Sequence, residues 1–232
     1  MSKSLLLLGG VLPAVQLLRR TEAYADSVHI IAQKADAIVF SKYGKKFLYG
    51  EDKDCLMVIR QWIAEQTKNA QQWLVIPCSE FFVQYIQEFR NSGFDVFAPS
   101  AQVLNTFYDK SIMYSWLDTL GIETAAFNQI SDPLDFAQEK QYIIKSAKAS
   151  DDYKSPFKTK TIKHTCELDR IRKTIPSEFW GNFVIQRLYP NNQSLSYGGV
   201  WLDGQELASI IVRQVRQYQQ GITSHTVKAT NE

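Results

Sequence analysis

Short unbroken apolar runs alternate with segments of helical apolar spacing through the first hundred residues. Residues 5–8 are four leucines closed by Gly9-Gly10, the pattern of a strand buried on both faces. Pro13 stands near the start of the following helix, where its missing N–H costs little. Val15, Leu17 and Leu18 supply that helix with an apolar stripe. Residues 28–32 predict a second strand and residues 37–40 a third. Residues 41–50 are polar, basic and tyrosine-rich and read as an exposed connection. Leu56, Ile59, Trp62 and Ile63 recur at helical spacing over residues 55–66. Residues 73–77 predict a strand, 81–90 a helix stopped by Asn91-Ser92-Gly93, and 94–97 a strand closed by Pro99. Strands alternating with helices predict a parallel α/β sheet, Rossmann-like, with right-handed crossovers.

The pattern changes near residue 103. Residues 109–120 predict a helix ended by Gly121 at the C′ position. Residues 141–145 read as a strand, and 146–161 as a polar loop. Lys148, Lys154, Lys158 and Lys160 crowd that stretch, and Lys163 follows it. A helix over 166–175 and a strand over 182–188 follow, then a turn over 189–196. Residues 197–202 and 207–214 flank Asp203-Gly204, a hairpin signal. The expected architecture is an α/β domain over residues 1–103 and an α+β domain over 104–232. No element is expected after the hairpin, and an uncovered hairpin is marginal, so the second domain reads as incomplete.

Composition narrows the classes. Hydrophobic residues are 45% of the 232 and aromatics 12%, enough for packed cores. The net charge of +2 comes without the basic stripe that nucleic-acid backbones require, though a small anion needs only two or three local cations. Cys55, Cys78 and Cys166 are widely spaced, which argues against a disulfide framework or zinc knuckle and for a reducing compartment. Cys55 and Cys78 read as small core residues. The N-terminal apolar run is too short for a signal peptide, and no stretch approaches the ~20 apolar residues of a membrane helix. A cytoplasmic protein is expected, and nothing in the sequence opposes a homodimer.

Several chemistries lack candidates. The first turn reads GGVLPA rather than G-x-G-x-x-G, and no acidic residue ends the second strand. A tight strand-to-helix turn is favoured over a dinucleotide cradle. There is no Walker A motif and no G-x-S-x-G elbow. His29, His164 and His225 lack metal-ligand spacing. What remains is placed cations. Lys110 opens a helix behind Asp109, and Lys145 ends the apolar strand YIIKS. A lysine with a buried stem either snorkels to water or meets an anion, because an unpaired buried charge is costly.

At this point a resemblance emerges. The pieces LLLLGGVLPAVQLLR, FSKYGKKFLY, WLVIPCSE and FYDKSIMYSWLDTLGIETAAF come first. YIIKSAKASDD, FVIQRLYP, YGGVWLDGQ and RQVRQYQQGIT follow in order. Together they resemble the ATP-grasp superfamily, especially its carboxylate–amine ligases and the carbamoyl-phosphate-synthase-like and biotin-carboxylase-like enzymes. The resemblance covers essentially the whole chain and implies a Rossmann-like pre-ATP-grasp domain followed by an ATP-grasp domain. It implies ATP with Mg²⁺ on its phosphates, a carboxylate substrate activated as an acyl phosphate, and an amine that captures it. Such phosphoryl transfer rests on positioned cations and metal. By the same resemblance, Lys110 and Lys145 are the two ATP-phosphate lysines. Gln186 faces the adenine amino group, and Arg187, Leu188 and Tyr189 form the adenine hinge. Arg213 and Arg216 are candidates for phosphate or substrate.

Two departures accompany it. The phosphate loop SAKASDDYKSPFKTK contains no glycine, so its backbone N–H groups cradle phosphate less freely; either lysines substitute or the loop is degenerate. The family's acidic and Glu-x-Asn metal ligands have no counterpart after Gly221; Asp151 and Asp152 lie among lysines and are poor substitutes. The expectation is an N-terminal portion of a longer ligase, with its metal ligands beyond residue 232, that binds nucleotide weakly alone without turning it over. The alternative is a non-catalytic nucleotide- or metabolite-binding protein or partner subunit.

Overall fold

The computed structural model describes residues 3–21, 24–69, 71–133, 141–147, 153, 155–157, 159–189, 194–218 and 222–229. The chain divides into two compact units, Met1–Asn105 and Thr106–Glu232.

In the first unit, β1 (Lys3–Leu8), α1 (Leu12–Thr21) and β2 (Ser27–Gln33) lead to a 3₁₀ turn at Ala37–Phe40 and then β3 (Lys45–Tyr49). They are followed by α2 (Cys55–Gln66), β4 (Gln72–Pro77), a 3₁₀ turn at Glu80–Tyr85, α3 (Ile86–Asn91) and β5 (Asp95–Val96). α4 (Ala101–Tyr108) runs across the boundary between the two units. The five strands form one parallel sheet in the order β3-β2-β1-β4-β5. One face packs Leu7, Ile30 and Ala32 on Ala14 and Leu18 of α1 and on Ile38. The other packs Leu6, Leu8 and Val75 against Cys55, Ile59 and Trp62 of α2 and Phe89 of α3.

Two local expectations are corrected. Residues 37–40 are not a strand but a 3₁₀ turn that buries Ile38 alone of its four residues; Phe40 is 88% exposed. The stretch read as an exposed connection holds the third strand, β3, at the edge of the sheet. Lysines at an edge strand discourage pairing with further chains, and here they hid the strand.

In the second unit, α5 (Lys110–Thr119) is followed by β6 (Phe127–Gln129), β7 (Tyr142–Ser146), β8 (Thr159–Ile162) and α6 (Thr165–Thr174). A 3₁₀ turn at Ser177–Asn182 leads into β9 (Phe183–Arg187), then β10 (Leu195–Leu202), β11 (Gln205–Tyr218) and β12 (Ile222–Lys228). The strands make an antiparallel sheet β6-β9-β7-β8 and a second sheet β10-β11-β12. Gly121, at φ +69°, closes α5 in a Schellman motif, with Ile122 N–H bonded to the Leu117 carbonyl at 3.0 Å. Asp203 and Gly204 both take positive φ, as the hairpin requires. Two further expectations change: the lysine-rich loop ends in β8, and a third strand, β12, follows the hairpin.

Candidate functional site

The register of β7 against β9 decides what each face of the first antiparallel sheet carries. Lys145 opposes Val184, and Ile143 opposes Gln186; Phe127 of β6 opposes Gln186 from the other side. Side chains alternate across a strand, so Lys145, Gln186 and Phe127 share one face. The opposite face presents Ile144, Ile162, Phe183 and Ile185, which pack on Leu168 and Ile171 of α6. One face is therefore an apolar core, and the other carries polar groups on a rigid support.

Tyr114 of α5 joins those polar groups. Lys145 Nζ donates to Tyr114 Oη at 2.9 Å and lies 5.5 Å from the centre of its ring. Tyr114 O–H donates to Gln186 Oε1 at 3.3 Å, and Gln186 Nε2 donates to the Ala125 carbonyl at 2.9 Å. Gln186 is only 4% exposed, and a buried amide needs such partners. The ring of Tyr114 packs at 5.4 Å on that of Phe127. Among the described residues, the Lys145 ammonium meets no carboxylate.

Lys110 is brought to the end of the same strand. Its backbone N–H donates to the Ala147 carbonyl at 2.9 Å, and its Nζ reaches the same oxygen at 3.4 Å. Ala147 lies two residues beyond Lys145. Asp109 caps α5 through the N–H groups of Ser111 and Ile112, which fixes where the helix and Lys110 begin. Two cations thus converge on the end of β7. A lysine is a compact charge with three donors, suited to phosphate.

The expected hinge follows β9. Arg187 is exposed and its guanidinium lies 5.3 Å from the centre of the exposed Tyr189 ring. Leu188 N–H donates to the Gln141 carbonyl at 2.8 Å, which continues the β7–β9 ladder one residue further. Arg213 is an exposed residue of β11 opposite Leu195, and the structure does not tie it to the Lys145 cluster. Arg216 lies on the same strand, its side chain outside the described residues. Lys148, Asp151, Asp152, Lys154 and Lys158 also fall outside them. Among the described residues, no three His, Cys, Asp or Glu side chains gather as a metal site, and no helix is long and apolar enough to cross a membrane.

The glycine turn of the first unit is filled by its own chain. Asp36 Oδ2 accepts from Gly10 N–H at 3.1 Å and from Gln33 N–H at 2.9 Å. A Cβ on Gly10 would sit 2.3 Å from Asp36 Cβ. The glycine is there for Asp36, as the tight-turn reading expects, and the N–H that could meet a phosphate already meets a carboxylate.

Sequence reasoning missed Tyr114. The available signal was its spacing: it stands four residues after Lys110, on the same side of α5. The Ala125 carbonyl, a backbone group in a loop, left no sequence signal.

No protein-family model and no curated protein matches the sequence. Solved structures do match in fold. N5-carboxyaminoimidazole synthase from Aspergillus clavatus, in complex with ADP and 5-aminoimidazole ribonucleotide, superposes with a TM-score of 0.66 at 14% identity, over 93% of this chain and 54% of that one. L-amino acid ligase from Bacillus licheniformis gives 0.66 at 12% identity, over 100% and 55%. D-alanine–D-alanine ligase from Bacillus anthracis, complexed with ATP, gives 0.54 at 14% identity, over 100% and 71%. The chain spans about half the length of the first two. At this distance the likeness is one of fold: the chain has the ATP-grasp fold, a parallel α/β unit followed by an α+β unit.

Proposed function

We propose that this chain is the nucleotide-holding part of an ATP-dependent ligase that activates a carboxylate as an acyl phosphate for attack by an amine. The observation that best supports this reading is the single sheet face carrying Lys145 and Gln186. Tyr114 ties the two together, and Lys110 is held at the strand end. In this reading the two ammonium groups receive the phosphates of ATP and offset charge on the transferred phosphoryl group. The Gln186 carbonyl oxygen, with a second lone pair, accepts from the adenine amino group. Leu188 N–H is engaged with Gln141, so the backbone edges of Arg187 and Tyr189 serve adenine.

Carboxylate oxygen attacks the γ-phosphorus, ADP leaves, and the amine displaces phosphate from the acyl carbon. The resemblance implies Mg²⁺, which would offset charge on the phosphates. Among the described residues no three His, Cys, Asp or Glu side chains gather to hold it. A cytoplasmic setting accords with three free cysteines.

The test is calorimetric titration of residues 1–232 with ATP, ADP and inorganic phosphate, alongside phosphate release with Mg²⁺ and a panel of carboxylates and amines. Binding of ATP and ADP without release is expected. Failure of both nucleotides to bind would remove the nucleotide reading. Substrate-stimulated release would place metal ligands within these residues.

A further inference from the structure

We propose that the first unit holds a second ligand site, for a small organic anion with an apolar body, in the place where the β2–β3 crossover lacks a helix. In this parallel sheet the β1–β2 crossover is the ten-residue α1, whereas the β2–β3 crossover contains only the four-residue 3₁₀ turn at Ala37–Phe40. Parallel strands ordinarily return through a helix that covers the sheet. Beside α1 the short turn leaves a cavity of about 740 Å³, lined by Val15 and Arg19 of α1 and by Ala37, Phe40, Ser41, Lys42 and Tyr43. That volume falls in the range of small-molecule sites.

The lining has a consistent chemistry. Arg19 and Lys42 bring two cations, and among the described residues no acidic side chain lines the cavity. Ser41 and Tyr43 add hydroxyl groups, and the Lys42 ammonium lies 5.0 Å from the centre of the Tyr43 ring. Phe40 is 88% exposed; an isolated surface phenylalanine is unremarkable, but this one edges a cavity whose other apolar walls are Val15 and Ala37. Arginine pairs with carboxylate or phosphate through a planar fork, and an aromatic wall favours a flat apolar body. The ligand class is thus a carboxylate or phosphate monoester on an aromatic or similarly apolar group. The site stands on the first unit alone and is independent of the nucleotide reading.

The experiment titrates residues 1–232 with benzoate, phenyl phosphate and inorganic phosphate as separate probes, with Arg19→Ala/Lys42→Ala, Phe40→Ser and Lys145→Met beside the wild type. At least one aromatic anion is expected to bind, and whichever binds more tightly assigns carboxylate or phosphate. Inorganic phosphate should be weaker, and the double variant should lose ~10-fold or more in affinity, as for charge-assisted bonds. Phe40→Ser should weaken binding, Lys145→Met should leave it unchanged, and thermal unfolding should be unaltered in the double variant. Absence of binding by both aromatic anions, equal affinity in the double variant, or loss in Lys145→Met would each overturn the site.

Discussion

Lys145 Nζ and Tyr114 Oη lie 2.9 Å apart, and the same hydroxyl reaches on to Gln186. A strand-end lysine and a buried amide two strand positions away are thereby held by one side chain of the neighbouring helix. Tyr114→Phe keeps the ring packed on Phe127 and removes only the hydroxyl. Each partner then lacks one hydrogen bond, typically about 1 kcal/mol in net effect. ATP affinity is expected to fall about 5-fold, measured by titration, with the melting temperature little changed. Unchanged affinity would show that Tyr114 does not position Lys145.

Asp36 holds the glycine turn from within, so Asp36→Ala should destabilise the first unit by about 2 kcal/mol, the usual cost of leaving two amides without their acceptor. Gly10→Ala should do at least as much harm, because its Cβ would meet Asp36 and Ile38 at 2.3 and 2.7 Å. Gly181→Ala, with open space around its Cβ, is the matched control. Denaturant midpoints decide. Equal, small effects at Gly10 and Gly181 would contradict the packing described here.

His29 carries a pH dependence. It is 8% exposed, accepts at Nδ1 from the Trp62 indole at 3.0 Å and packs at a tilt on the Trp73 ring, 4.4 Å between centres. Burial, and secondly the Lys45 ammonium, hold its pKa down at about 4 from 6.5. The folded pKa is depressed, so the unfolded chain takes the proton first. Stability is full above about pH 6.5 and is lost as pH falls toward 4, by up to about 3 kcal/mol. Urea unfolding at pH 7.5, 6 and 5 should show this decline, and His29→Gln, which still accepts from Trp62 but does not titrate, should flatten it. A decline of the same size in His29→Gln would assign the acid sensitivity elsewhere.

The three free thiols should separate by reactivity. Burial pushes the Cys55 thiol up to about 12 and the Cys78 thiol to about 11, and a thiol reacts through its thiolate. Cys166 is exposed. At pH 8 a thiol reagent should label Cys166 rapidly, and Cys55 only as the first unit unfolds. Peptide mapping after brief labelling reads the order, and early labelling of Cys55 would contradict its place in the core.

Much of this was legible in the chain. Unbroken apolar runs at residues 5–8 and 73–77 read correctly as strands; Leu6, Leu7 and Leu8 are fully buried, whereas β4 buries Trp73 and Val75 and leaves Leu74 exposed. Residues 37–40 are equally apolar yet form a turn, since the core accepts only Ile38 and leaves Phe40 in solvent. β3 was hidden for the opposite reason: an edge position tolerates the lysines that disguise it. At the candidate site, Lys110, Lys145 and Gln186 could be named from motif order. Tyr114 could not, because its role is fixed by the packing of α5 on the sheet, a tertiary fact with only a four-residue spacing to announce it.

The central claim is that an anchored cation on the β7 face holds the phosphates of ATP. It is tested most directly by titrating ATP into wild-type residues 1–232, Lys145→Met and Lys158→Met. Lys145 is fixed by its strand and by Tyr114, whereas Lys158 belongs to the lysine-rich stretch before β8. Lys145→Met is expected to weaken ATP binding by more than ~10-fold, the loss of a charge-assisted contact, and Lys158→Met by less than ~2-fold. Equal losses in the two variants, or none in Lys145→Met, would contradict the account.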